Sequence, residues 1–216
     1  MKMNKKLIAI IGMIAAVAII FWKKIALLGL VIILFVGTLI ARPEITDDIA
    51  VYEELRSGGN AREEYQDRWG MDESIWPEKI TESMDVKDYK MVYYNPWDAQ
   101  YLGYLVIKYP VSEYKAEVER LKSYKSTEYK GYYEVTGEED YELLAVNADP
   151  YYGFIYAMTD NDNTIIYAEQ VFCNYFMDLK YEKYMPKEYF LDGFNATQDS
   201  QYYKEKEREM DEIANE

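Results

Sequence analysis

Histidine is absent from the sequence, and cysteine occurs once, as Cys173. Without imidazole there is no Ser-His-Asp or Cys-His nucleophile and no His/Cys zinc set. One cysteine allows no disulfide within the chain. Basic residues are also scarce, 24 Lys+Arg against 39 Asp+Glu, which leaves a net charge of −15 over 216 residues. Nucleic acid is not expected as a partner, because binding it requires clustered Lys/Arg to neutralise phosphates. The one glycine pair near a polar turn, Ser57-Gly58-Gly59-Asn60, lacks the Lys-Ser/Thr that completes a phosphate loop. No catalytic residue, metal or cofactor is expected from these patterns.

What the chain does contain is unevenly placed. Residues 1–41 hold five lysines and no acid, a net of +5, so the remainder carries −20. All 24 tyrosines lie beyond residue 41. Leu7–Trp22 and Ile25–Ala41 are free of charge, separated only by Lys23 and Lys24. As helices each would be roughly 24–26 Å long, slightly under the roughly 30 Å hydrocarbon core. Phe21-Trp22-Lys23-Lys24 offers no small-residue cleavage site and Leu39-Ile40-Ala41 is a poor one, so residues 1–41 are expected to form an uncleaved membrane anchor rather than a signal peptide.

Two topologies fit this anchor. A single span, Ile25–Ala41, leaves five lysines on one side, and the positive-inside rule then puts the following domain outside the cytoplasm. A hairpin of both segments turns at Lys23-Lys24 and puts the domain inside. We take the outward placement as the expectation.

Residues 42–70 read as a helical linker. Thr46-Asp47-Asp48 supplies a cap, Ile45, Ile49, Tyr52 and Leu55 form one stripe, and Gly58-Gly59 ends it. Asn60 and Glu63 resemble a capping box for a second short helix with Tyr65, Trp69 and a stop at Gly70. An acidic domain is repelled by anionic headgroups, so these helices are expected to hold it off the surface.

Residues 71–197 read as an α+β domain. Strands are expected at 89–94 and 101–109, then 130–136, 141–147, 151–159 and 164–172. A helix from Ser112 to about Ser123 buries Tyr114, Val118 and Leu121. This is a ββαββββ order with an antiparallel sheet. Residues 198–216 are a charged tail, a solvated helix or a frayed end. The stretches Tyr93–Leu102 and Glu117–Lys122 resemble segments of small membrane-anchored bacterial proteins of no assigned function. The resemblance covers about residues 70–125 and implies no catalytic motif.

The candidate binding patch is Trp97 and Asp98 at a loop tip with Tyr93 and Tyr101 beside it. Trp97 can stack on a sugar or an aromatic partner, or fold back to cover the sheet while Asp98 caps the turn; cover is the preferred reading. Asp160-Asn161-Asp162-Asn163 opens like a calcium loop, but Ile165 and Val171 stand where glycine and glutamate are needed, so it is read as a hairpin turn. Glu138-Glu139-Asp140 and Glu205–Glu212 are read as solvated charge, and Cys173 as a buried small apolar residue. Adjacent tyrosine pairs put one ring on each face of a strand. The outer rings then form a contact surface or lie under the N-terminal helices.

The expected function is a membrane-tethered, non-catalytic binding module. Its expected partners are the lipid bilayer, through residues 7–41, and a protein or a cell-envelope glycan. A carboxylate-dependent envelope enzyme is the alternative; it requires a deep pocket with two convergent acids, one of them desolvated.

Overall fold

The computed structural model describes residues 21–32, 42–57, 65 and 68–215. It divides into two compact units, Met1–Arg42 and Pro43–Glu216. In the first, residues 21–32 are helical and expose Phe21, Trp22, Leu27 and Leu28. This helix runs unbroken through Lys23 and Lys24, so the tight two-lysine turn is not formed. The rest of both apolar segments lies outside the described residues. Among the described residues no helix is long and apolar enough to cross a membrane.

The second unit is α+β, built on a six-stranded antiparallel sheet. Its strands are β1 (Glu44–Thr46), β2 (Asp85–Tyr94), β3 (Gln100–Lys108), β4 (Glu142–Asp149), β5 (Gly153–Thr159) and β6 (Thr164–Val171). They lie in the order β1-β2-β3-β6-β5-β4. Helices α1 (Tyr52–Ser57), α2 (Val111–Lys122) and α3 (Gln201–Ala214) accompany it. The central strands are buried on both faces, which explains their near-continuous apolar sequence.

Alternation along each strand sorts the side chains into two cores. On the first face Tyr89, Met91, Leu105, Ile107, Tyr167 and Val171 pack under Tyr52, Leu55, Tyr65, Trp76 and Leu121. On the second, Leu102, Val106, Phe154, Tyr156, Met158 and Ile166 pack under Tyr133, Phe172, Met177, Tyr181, Leu191 and Tyr202. The second cover has little regular structure, so its backbone is satisfied by other means. The buried Gln100 side chain accepts from the Asp178 and Leu179 amides, Met177 N donates to Ala196 O, and Asn195 N donates to Tyr133 O.

The strand count is as expected, but one member differs. Residues 130–136 form no strand; Tyr132–Glu134 is a 3-10 turn with Tyr133 and Glu134 at positive φ behind a left-handed Gly131. Tyr133 and Val135 are both buried, which imitates strand alternation. The sixth strand is β1, which pairs Glu44, Ile45 and Thr46 with Tyr93, Val92 and Met91. Ile45 therefore belongs to the sheet rather than to a helix, and the cap is Asp48, whose carboxylate accepts from Ala50 N at 3.0 Å.

Residues 42–70 are consequently no spacer. Among its described residues Tyr52, Leu55 and Tyr65 are core residues, so the segment is part of the domain. Helix α2 starts at Val111 after Pro110 and without a side-chain cap, while Tyr114, Val118 and Leu121 pack inward as expected. The proposed capping box at Asn60 and Glu63 lies outside the described residues. Asp160–Asn163 is the β5–β6 turn: Asn161 and Asn163 take positive φ, and Asp160 Oδ1 accepts from the Asp162 and Thr164 amides. Helix α3 is capped by Ser200 and is anchored through the buried Tyr202 in its first turn; beyond that turn it is largely exposed.

Candidate functional site

Beneath the first cover lie four charges. Strand β6 carries Glu169 inward, α1 supplies Arg56, and the segment after it supplies Arg68 and Glu73. Arg56 Nη1 donates to Glu169 Oε2 at 2.9 Å, and Arg68 Nη1 to Glu73 Oε1 at 2.9 Å. Arg68 Nε lies 3.4 Å from Glu169 Oε1, and Arg56 Nη2 lies 3.3 Å from Glu73 Oε2. Two cations and two anions cancel, which is the condition under which buried charge is tolerated. Burial works against the Arg68 charge, but Glu169 and Glu73 outweigh it and raise its basicity further. The Arg56 guanidinium also lies 4.3 Å from the centre of the Trp76 ring.

Above this quartet opens a cleft of about 630 Å³, lined by Arg56, Glu73, Trp76, Met84, Glu117 and Arg120, with Pro77 and Lys79 at its margin. Arg120 joins its two walls. Its Nη1 and Nη2 donate to the Ser74 and Ile75 carbonyls at 2.8 Å, and Nε and Nη2 donate to Glu117 at 2.7 and 2.6 Å. Tyr167 Oη donates to Glu117 Oε1 at 2.6 Å, and Tyr109 Oη completes the chain 2.7 Å behind it. Burial holds the Tyr167 phenol protonated well above its ordinary pKa, and Tyr109 and Glu117 add to this. Arg56 Nη2 is buried and faces Glu73 Oε2 without a hydrogen bond of good geometry, so the Arg56 guanidinium in the cleft lining is engaged by its ion pairs.

The cleft does contain three acids, Glu73, Glu117 and the exposed Glu78. Burial raises the Glu73 carboxyl above its ordinary range, with Arg56 and Arg68 acting against it. Both oxygens of Glu73 and both of Glu117 face arginine, however. A carboxylate held in this way is a structural anion and a poor proton shuttle.

The expected patch is split. Trp97 is 91% exposed at the tip of the β2–β3 loop, so it does not cover the sheet. Asp98 is half-buried and accepts from Asn174 Nδ2 at 2.6 Å, tying this loop to the one after β6. Tyr93 and Tyr101 are cross-strand partners inside the first core, 5.4 Å apart between ring centres, and not on the surface. Among the described residues the sheet's tyrosines lie under cover on both faces, Tyr89, Tyr93 and Tyr101 packing with Tyr52, Leu55 and Tyr65. Glu139 is half-buried, and burial raises its carboxyl; it is not the solvated charge expected. Cys173 is buried as expected, and burial with the Asp98 carboxylate pushes its thiol up to about 12.

Around Trp97 the loop end of the sheet is rich in half-exposed rings. Trp69 stacks on Tyr152 at 5.9 Å and donates from Nε1 to Ala99 O. Tyr151 packs edge-on against Tyr175 and donates to Asn174 Oδ1. Trp69, Asn174 and Tyr175 all take positive φ there. Among the described residues no group of three or more acids or cysteines is placed to hold a metal ion.

Sequence reasoning missed Arg56, Arg68, Glu73, Glu117, Glu169 and Arg120. One signal was present: Glu169 is the single acid within the apolar run of β6, and an acid buried mid-strand demands a cation. No protein-family model, curated protein or solved structure matches the chain, so what the cleft does is argued from its own geometry.

Proposed function

We propose that this chain is a membrane-tethered binding module without chemistry of its own, and that the cleft takes an extended segment of a partner protein. The observation that carries this is the cleft's composition. Trp76, Pro77 and Met84 give the lining an apolar part, and the exposed Lys79 and Glu78 add a cation and an anion beside it. Such a site accepts one apolar side chain together with a carboxylate or backbone carbonyl. Residues 7–41 are the tether. The unbroken helix through Lys23 and Lys24 favours one span, with five lysines on the cytoplasmic side and the domain outside.

A photo-cross-linker in place of Lys79 in the full chain tests the reading in the membranes of the producing cell. The expected result is a defined cross-linked protein, lost when Met84→Glu is added and not obtained from the same group at Lys180 on the opposite side. Equal labelling from both positions refutes the cleft as the contact. Turnover of a cell-wall substrate by the purified chain, abolished by Glu117→Gln, would instead establish the carboxylate enzyme.

A further inference from the structure

The tether enters the sheet at a defined place. Because β1 is antiparallel to β2 with Glu44 opposite Tyr93, stepping back from Glu44 to Arg42 follows the same direction as stepping forward from Tyr93 to Asn95. The apolar segment ends at Ala41, three residues before Glu44, a reach of at most roughly 11 Å. The chain therefore leaves the sheet at the end that carries Trp97 and the loops 149–153 and 172–176.

That end is furnished for an interface. Trp97 is the most exposed large apolar side chain of the domain, and Trp69, Tyr151, Tyr152 and Tyr175 surround its loop half-exposed. Tryptophan and tyrosine are the side chains that settle at the headgroup level of a bilayer, apolar body inward and polar tip outward. The loop is also firmly held, by the Asp98–Asn174 bond on one side and the Trp69–Ala99 bond on the other. The cleft's Met84 leads into β2 at Asp85, at the opposite end of the same strand.

We propose that the Trp97 end of the sheet rests on the bilayer that holds the tether, with the Trp97 ring in the headgroup interface. This rests on the tether reading. The occupant of the aromatic end is the lipid surface itself, since the apolar segment ends only three residues before the start of β1 at this end, a reach of at most roughly 11 Å. The acids of the domain oppose contact with anionic headgroups, so the contact is strongest on a neutral bilayer.

The test uses the full chain reconstituted into phosphatidylcholine vesicles whose acyl chains carry bromine. Flotation with the vesicles in high salt reports the tether, and the emission difference between wild type and Trp97→Phe isolates Trp97 from the other three tryptophans. The expected result is a blue-shifted Trp97 component that the brominated lipid quenches, and that loses its quenching when a rigid helical spacer is inserted between Arg42 and Pro43. Flotation with an unquenched, water-like Trp97 component overturns this inference and leaves the tether standing, freeing the ring for a soluble partner. Failure to float overturns the tether and this inference with it.

Discussion

Arg56 and Glu169 meet at 2.9 Å across 113 positions of sequence, in a site where the carboxylate has no access to solvent. This contact fastens α1 to the central strand β6, and with it the segment that follows β1.

Removing one member of the quartet strands the others. Glu169→Gln leaves Arg56 and Arg68 sharing Glu73, and the expected loss is about 3–5 kcal/mol. The exposed pair Lys122–Glu142, of similar length at 2.7 Å, is the contrast: Glu142→Gln costs about 1 kcal/mol or less. Urea unfolding of the full chain in detergent, followed by circular dichroism, measures both.

The buried phenols set an alkaline limit. Burial raises the pKa of Tyr52, Tyr89, Tyr109, Tyr133, Tyr156 and Tyr167 above the ordinary value of 10. Between the unfolded and folded values the unfolded chain releases protons that the folded chain retains. The stability these groups contribute is thus complete below about pH 10 and is lost as pH rises, by about 1.4 kcal/mol per pH unit for each. The expectation is a steep alkaline transition in which phenolate absorbance and loss of circular dichroism coincide. Gradual ionisation in a chain that stays folded would contradict the burial of these rings.

Cys173 reports on the Trp97 loop. The thiolate is the reactive form, and a thiol pushed up to about 12 reacts slowly with iodoacetamide near neutrality. Asp98→Asn removes the carboxylate that adds to the effect of burial and unfastens the loop from Asn174, so labelling is expected to quicken at a given pH. An unchanged rate in Asp98→Asn would deny the Asp98–Cys173 coupling.

Gly153 and Gly131 separate two effects of positive φ. A Cβ at Gly153 collides with the Gln170 carbonyl in the adjoining strand, whereas Gly131 has open space around it. Gly131→Ala is expected to cost about 1 kcal/mol, the penalty of the left-handed backbone alone. Gly153→Ala is expected to cost more than about 2 kcal/mol, because the β5–β6 register must shift as well. The same urea titration compares them.

The strands were legible where apolar alternation met a strong turn, as at Tyr101–Tyr109 and around Asp160–Asn163. Residues 130–136 carried that alternation too, yet Gly131 and the positive φ at Tyr133 and Glu134 curl the chain into the second core. β1 was not legible, because three residues hold no periodicity. The charge quartet was hidden for a different reason: Arg56 and Glu169 are brought together by sheet order, which no local pattern encodes. Trp97 shows the converse limit. A loop residue has no period to say whether it turns inward, and here it does not.

The register of β1 also has a mechanical meaning. A pull applied at Pro43 against a grip at the opposite end of the sheet acts along the axis of β1, whose three residue pairs with β2 then bear the load together in shear. Bonds loaded side by side yield as a set, unlike a hairpin peeled open from one end. The shortest strand of the sheet is thus placed as the fuse of the molecule, able to give way under force while the five longer strands keep their core.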